Sequence, residues 1–404
     1  MALIEQLLKS VIAAKSAADY WAVQTDLAAA IEAQELVIRR DQRRHLNFRQ
    51  AIKRCSAPSA ASAKLDRERI QRIQALLGAN ERAEDNHRFA RGAILYLGDS
   101  LAYNLMPDHV VRIYGRNSSP GFFGDKKGRD RELRIGALLA NDGWTVLLHD
   151  LTHCLRIGDL TAFCEERGIL HLECGAGGGG RKQRQARRME LLSRVLKEDT
   201  STVSTDELTA HRFPATFVED ETELQYNTAA FCEVVNCDAI GWKVLQPEDG
   251  LIYVAFLPGC QARELARAMT RTGRGWRNYM MACFSDRIMG RYPWVPSIMS
   301  LPLPAEHIVG LLERHFHFWV LIDVDHVKRR IAQLSPGLVV SDEGGYISFT
   351  TRSDDWLAVR GARPIESVQF GLASLETALQ MLAVEPQFDR FEQLARRDSK
   401  LASG

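Results

Sequence analysis

The chain has 404 residues, with 52 Lys and Arg against 51 Asp and Glu, a formal charge of +1. No global charge excess points to nucleic acid or to a membrane surface, so any such partner must be met by a local patch. A hydrophobic share of 46% and a charged share of 25% exclude a disordered or fibrous chain and leave room for two or three domains. The eight cysteines are scattered without a Cys-x-x-Cys pair, no apolar run reaches spanning length, and Glu5, Lys9 and Lys15 interrupt the start. The expectation is a reduced, cytoplasmic protein with no membrane segment.

Residues 1–110 read as a helical region. Leu3, Ile4, Leu7, Leu8, Val11 and Ile12 follow helical spacing. Leu27 to Ile31 continue it toward a basic end at Arg39, Arg40, Arg43 and Arg44, which predicts one or two helices over 3–54. Ser56 to Ser62 is a loop by composition, and helices resume over 66–77 and 87–105 until Met106-Pro107-Asp108. The expected role is packing against the core, against a protein partner or against a second copy, with DNA contact as the alternative.

Residues 111–200 carry the chemistry. Turns at 117–121 and 124–128 precede a helix containing Glu132, then an apolar strand from Trp144 to Leu148, then Ile157-Gly158-Asp159-Leu160. A second apolar strand, Gly168 to Cys174, empties into the run Gly175-Ala176-Gly177-Gly178-Gly179-Gly180 and a basic helix from Arg181. Asp159 and Glu173 thus lie on or beside adjacent core strands. Burying unpaired carboxylates is costly, and a divalent cation would compensate it. Taken singly, Asp159 after a glycine reads as a turn former, and Glu132 in a charged run as a solvated ion-pair partner. Their order and spacing together carry the argument.

This order resembles the PD-(D/E)XK, or restriction-endonuclease-like, nuclease core: helix with Glu132, strand, Gly158-Asp159, strand ending in Glu173-Cys174-Gly175, polar helix. The resemblance covers residues 111–197. It implies hydrolysis of DNA phosphodiesters with Mg²⁺ or Mn²⁺, in the setting of defence, restriction or repair, by a homodimer. It also implies Asp159 and Glu173 as metal ligands, the Cys174 carbonyl as a third, and Glu132 as a helper or second-metal ligand. The family's lysine is replaced here by Gly175. Lys182 and Arg181 are its expected stand-ins, with Gln183 or Gln185 to orient a water or phosphate, and Lys126 and Lys127 ranked behind them. Arg181, Lys182, Arg184, Arg187 and Arg188, with Lys126 and Lys127, would meet the nucleic-acid backbone. Without the lysine, a catalytically inactive binding or scaffold module is the second reading.

The glycine run also fits G-x-G-x-x-G after a strand and before a helix, and resembles the first motif of an S-adenosylmethionine-dependent methyltransferase. Against this, the next helix opens on basic rather than apolar residues, and no acid-ended strand follows at the expected distance.

Residues 197–212 read as a linker, and 210–404 as an α+β domain. Strands are predicted at 239–244, 251–257, 316–323 and 346–351, and helices at 261–269, 305–315 and 374–384. His315-Phe316-His317 and Asp323-Val324-Asp325-His326 contain metal-ligating types, but the alternation of Phe316, Phe318, Val320 and Ile322 favours an ordinary buried strand. Arg271 to Tyr279 mixes basic and aromatic residues, as backbone contact and base stacking require, and a plain surface loop reads equally well. The expected fold class is α/β, α+β overall: a helical N-terminal region, a restriction-endonuclease-like core and an α+β C-terminal domain.

Overall fold

In the computed structural model the chain divides into two units, Met1–Phe217 with Ile288–Gly290, and Val218–Arg287 with Arg291–Gly404. The structure describes residues 2–56, 63–106, 111, 122–126, 128–155, 158–174, 201–204, 209–213, 225–236, 241–273, 275–290, 295, 297–336, 338–343, 346–353, 356–360 and 363–384.

The first unit begins with helices α1 (Ala2–Ala13), α2 (Ala17–Cys55) and α3 (Ala63–Leu105). A capping box starts α2: Asp19 N–H donates to Ser16 Oγ while Ser16 N–H donates to the Asp19 carboxylate. Val23, Leu27, Ile31 and Ile38 then form its buried stripe. The two helices expected over 66–77 and 87–105 are one. The sequence between them, through Gln74 to Asn86, has no breaker stronger than Gly78, whose helical penalty is only about 1 kcal/mol.

Helix α4 (Arg129–Asn141) follows, then strands β1 (Thr145–Leu148), β2 (Leu160–Cys164), β3 (Gly168–Glu173), β4 (Ser201–Ser204) and β5 (Thr209–Phe213). They form one sheet in the order β1-β2-β3-β5-β4, each pairing antiparallel. The stretch expected to be a linker supplies β4 and β5. Thr202 and Val203 of β4 and Thr209 and Phe213 of β5 are strand formers, but the polar residues around them conceal the pattern.

The helical region packs on this core. Gln24 of α2 bonds the outer edge of β1, its side-chain amide donating to Val146 O and its carbonyl accepting from Leu148 N–H at 2.6 Å. Helices α2 and α4 cross at Gly136, where a Cβ would lie 2.4 Å from the Trp21 ring.

The second unit contains α5 (Thr228–Val235), β6 (Trp242–Glu248), β7 (Leu251–Phe256), α6 (Ala262–Thr272), β8 (Tyr279–Cys283), the short α7 (Ser285–Ile288, ending at the first unit's segment), α8 (Ala305–Leu312), β9 (His317–Asp323) and α9 (Val324–Leu334). Strands β10 (Leu338–Glu343), β11 (Tyr346–Ser353) and β12 (Trp356–Arg360) form an antiparallel meander, and α10 (Arg363–Gly371) and α11 (Leu375–Val384) end the described chain. The other sheet runs β6-β7-β9-β8, again antiparallel. Phe231, Tyr253, Phe284 and Phe318 bury one of its faces. Asp323 caps α9 by accepting from Asp325 N–H, so the Asp-Val-Asp-His run is a helix start rather than a ligand set.

The architecture is therefore α+β, with every recorded strand pair antiparallel, rather than α/β. Among the described residues no helix is long and apolar enough to cross a membrane, and the seven described cysteines form no disulfide.

Candidate functional site

Three strands build the site floor. Leu160 faces Leu172 and Val146 faces Ala162, so continuing both registers sets His149, Asp159 and Glu173 in one row across β1, β2 and β3. Directly opposed residues share a sheet face. One step along, Thr161 faces His171, and the His149 ring, the Thr161 hydroxyl and the His171 ring form a buried chain of 2.6 and 2.8 Å contacts. The opposite face holds Val146, Leu148, Leu160, Ala162 and Leu172 and is buried.

Asp159 is no mere turn former. It is 7% exposed. Its N–H donates to Leu172 O at 2.9 Å, and its Oδ2 accepts from Cys174 N–H at 2.8 Å. Gly158 just before it has φ +81°, and a Cβ there would lie 3.2 Å from Leu172 O, so glycine lets the chain turn into β2.

Glu132 lies in the first turn of α4 and is 4% exposed, which overturns its reading as a solvated partner. Its companion is Lys126. The Lys126 ammonium stands 2.7 Å from Glu132 Oε1, 2.9 Å from Asp159 Oδ1 and 2.6 Å from Asp150 Oδ2. Asp150, in the turn after β1, was not foreseen, because nothing in Leu148-His149-Asp150-Leu151 marks it apart from a loop acid.

The mount of Lys126 reaches back to the helical region. Buried Glu35 of α2 accepts from Phe123 N–H at 2.8 Å and Gly124 N–H at 2.9 Å, fixing the 3₁₀ turn Phe123–Asp125 that ends at Lys126. Arg91 of α3 donates to the same carboxylate at 2.9 Å, and Arg39 and Arg91 lie over the Phe122 ring. On the other side, Asp99 of α3 accepts from His153 and Cys154 N–H, holding the loop after Asp150.

The electrostatics follow from three carboxylates around one ammonium. Burial opposes the charge on Lys126, but Asp150, Asp159 and Glu132 outweigh it and hold the ammonium protonated far above its usual range. Burial pushes Glu132 up to about 7; Lys126 pulls it down, while Asp159 and Asp150 repel its charge. Burial, then repulsion from Asp159 and Glu132, pushes the Cys174 thiol up to about 12, so it stays protonated. Cys174 serves here through its backbone N–H.

Of the expected site residues, the structure gathers Asp159, Glu132 and Lys126, with Glu173 in the same row and Cys174 beside them. Lys127, Arg181, Lys182, Gln183, Arg184, Gln185, Arg187 and Arg188 lie outside the described residues. Among the described residues no group of three or more His, Cys, Asp or Glu side chains is arranged to hold a metal ion; the space between Glu132, Asp150 and Asp159 is taken by the Lys126 ammonium. The donors are nevertheless hard oxygens in surplus over positive charge, the chemistry that Mg²⁺ or Mn²⁺ requires. The strand leading to the glycine run lies between two antiparallel neighbours, unlike the parallel βαβ unit a dinucleotide or methyltransferase fold builds. No protein-family model, no curated protein and no solved structure matches the chain.

Proposed function

We propose that the first unit is a metal-dependent nuclease of the PD-(D/E)XK type in which Lys126 takes the part of the lysine absent at Gly175. One observation carries this reading: the Lys126 ammonium lies within 2.6–2.9 Å of Asp159, Glu132 and Asp150, beside the row that holds Glu173. A lysine at the carboxylates is what the chemistry needs, and this one arrives from before the Glu132 helix rather than after β3.

In this reading Asp159 and Glu173 would hold Mg²⁺ or Mn²⁺, with Asp150 or Glu132 as the further carboxylate. The cation would neutralise phosphate charge and supply a water of lowered pKa. Lys126 would donate a hydrogen bond to a water or a phosphate oxygen at the carboxylates, and Glu132, where it is not holding the cation, would be the group placed to accept a proton. The Cys174 N–H fixes the Asp159 carboxylate by holding its second oxygen. Nucleic acid is the substrate, as the resemblance implies.

The test is cleavage of plasmid and linear DNA with Mg²⁺ or Mn²⁺, comparing the parent chain with Asp159→Asn, Glu173→Gln and Lys126→Ala. Cutting by the parent, abolished by the first two and reduced at least 100-fold by the third, supports the reading. The same ammonium also fits a second reading, an inactive nucleic-acid-binding module in which Lys126 permanently neutralises the carboxylates. That reading is favoured by DNA binding without cutting that tolerates Asp159→Asn.

A further inference from the structure

We propose that the long helices α2 and α3 form a basic arm that grips the phosphate backbone of a nucleic-acid duplex and leads it to the carboxylate site. Nucleic acid as the partner rests on the nuclease reading; the surface itself stands on charge and geometry.

At about 1.5 Å per residue, α2 and α3 are each about 60 Å long. They run antiparallel: Arg91 bonds Glu35, Asn80 Nδ2 donates to Asp41 O, and Gln42 Nε2 donates to the Glu84 carboxylate. Only the half that carries Gln24 and Glu35 is covered. From Gln42 to Ser56 of α2 and from Arg67 to Ala79 of α3 no described residue is buried. Phe48 and Ile52 of α2, with Ile70, Ile73 and Leu77 of α3, are half-buried there at the spacing of a seam between two helices.

Between Arg39 and Arg82 the chain carries twelve Lys and Arg against four Asp and Glu, in a protein whose net charge is only +1. The excess is sided. Glu35 and Arg39 fix which side of α2 faces the site: Glu35 accepts from Phe123 and Gly124 N–H, and the Arg39 guanidinium lies 5.1 Å from the Phe122 ring centre. Counted from Arg39, that side continues at the i+4, i+7, i+11, i+14 and i+15 positions, which are Arg43, Leu46, Gln50, Lys53 and Arg54. All five are exposed, and the stripe runs for about 22 Å. Among the described residues no acid pairs with Arg43, Lys53 or Arg54. The acid nearest in sequence, Asp41, is buried on the α3 side, where Asn80 bonds its carbonyl and His87 lies 3.9 Å from its carboxylate. Arg39 with Arg43, Arg40 with Arg44, and Arg49 with Lys53 are like charges one turn apart, which lower helix stability until an anion meets them.

A polyanion is the occupant this surface fits. A second copy would set one cationic stripe against another. A membrane surface needs a free apolar face beside the charges, and the apolar side of α2 is turned to α3. The stripe has no aromatic ring on which a base could stack, so it meets phosphates, and a duplex offers about one for each 1.7 Å of its axis. The near end of the stripe lies at the turn that mounts Lys126, so a duplex held along it reaches the carboxylates.

The test is anisotropy of fluorescent duplex DNA and duplex RNA with the full chain in EDTA, across a salt series. The variant Arg43→Gln, Lys53→Gln, Arg54→Gln keeps helix-favouring residues and should flatten the slope of log affinity against log salt by about 2.7, at about 0.9 for each phosphate contact on DNA. Between about 50 and about 200 mM salt this corresponds to a roughly 40-fold loss of affinity that the parent shows and the variant lacks. Arg263→Gln, Arg267→Gln, Arg271→Gln removes the same charge from exposed positions of α6 and should leave the slope unchanged. The two duplexes distinguish DNA from RNA as the source of the phosphates, and circular dichroism checks that helix content is retained. Parent-like duplex binding by the arm variant overturns the proposal, whatever cleavage shows. So does an equal loss in the α6 variant, or capture of phosphatidylserine vesicles in place of either duplex. Loss of binding in the arm variant, with no cutting by the parent chain, upholds the arm and refutes the nuclease reading.

Discussion

Replacing Lys126 with Met retains most of the stem and deletes the charge, leaving Glu132, Asp150 and Asp159 around an apolar tip. Removing one member of a buried ion pair costs about 3–5 kcal/mol, because the remaining charge is desolvated and uncompensated. Here three carboxylates, each within 2.9 Å of the ammonium, lose their common partner. The loss is limited because the carboxyl groups can take up protons, at 1.36 kcal/mol for each pKa unit. For a unit of this size, 3–5 kcal/mol corresponds to a fall in Tm of roughly 6–20 °C. Two further signs follow. Carboxyl groups whose folded pKa is raised stabilise the fold at low pH and lose that contribution as pH rises through the raised value. Lys126→Met should therefore recover toward the parent on acidification from about pH 8 to about pH 5. Mn²⁺ should restore more of the variant than of the parent, by about 2.7 kcal/mol at a concentration 100 times its Kd, since the ammonium no longer occupies the carboxylates. Differential scanning fluorimetry over pH and Mn²⁺ reads both. An equal deficit at both pH values with no selective Mn²⁺ rescue would refute the reasoning.

Other consequences are open to direct measurement. Glu35→Ala removes the acceptor for Phe123 and Gly124 N–H and for Arg91, and should lower urea stability by about 3 kcal/mol and cut cleavage with it; unchanged cleavage would mean that the turn holds Lys126 unaided. Burial raises the carboxyl of Glu132 to about 7, so its contribution is present below the ordinary carboxylate range and is lost as pH rises through about 7. Glu132→Gln should match the parent near pH 4 and exceed its metal-free stability near pH 8, as urea titrations would show. Iodoacetamide at neutral pH should modify Cys164, whose thiol pKa the Arg167 hydrogen bond lowers, well before Cys174, whose pKa burial raises to about 12. Peptide mass spectrometry gives the order, and early labelling of Cys174 would contradict its burial. Gly136→Leu should lower Tm by several degrees through collision with Trp21, corresponding to about 1–3 kcal/mol of overpacking.

The carboxylates were legible because strand periodicity and local order placed them: Glu173 ends an apolar strand, Asp159 follows a glycine just before another, and Glu132 lies in the first turn of a helix. Lys126 and Asp150 were obscure for the opposite reason. Each stands in a turn, and what aims Lys126 is a carboxylate on α2, 88 residues before Phe123. Local spacing carries no trace of such a contact. Strand β2 was hidden because Leu160-Thr161-Ala162-Phe163-Cys164 lacks the continuous apolar run that marks β1, and β4 and β5 by a polar sequence that reads as linker until β3 offers an edge. In the second unit, the apolar strands β7 and β9 announced themselves, while β8 begins at Tyr279, the last residue of a basic segment that reads equally as loop.

Strand β1 ends its sheet, and a bare outer strand invites another chain to pair with it. Gln24 closes that possibility. Its side-chain amide imitates a peptide group, giving to Val146 and accepting from Leu148 as an added strand would. The seat is therefore taken by the protein's own first long helix. Any self-association of this unit must use another surface, and loosening α2 would unmask a template for aggregation at the same time as it disturbs the site.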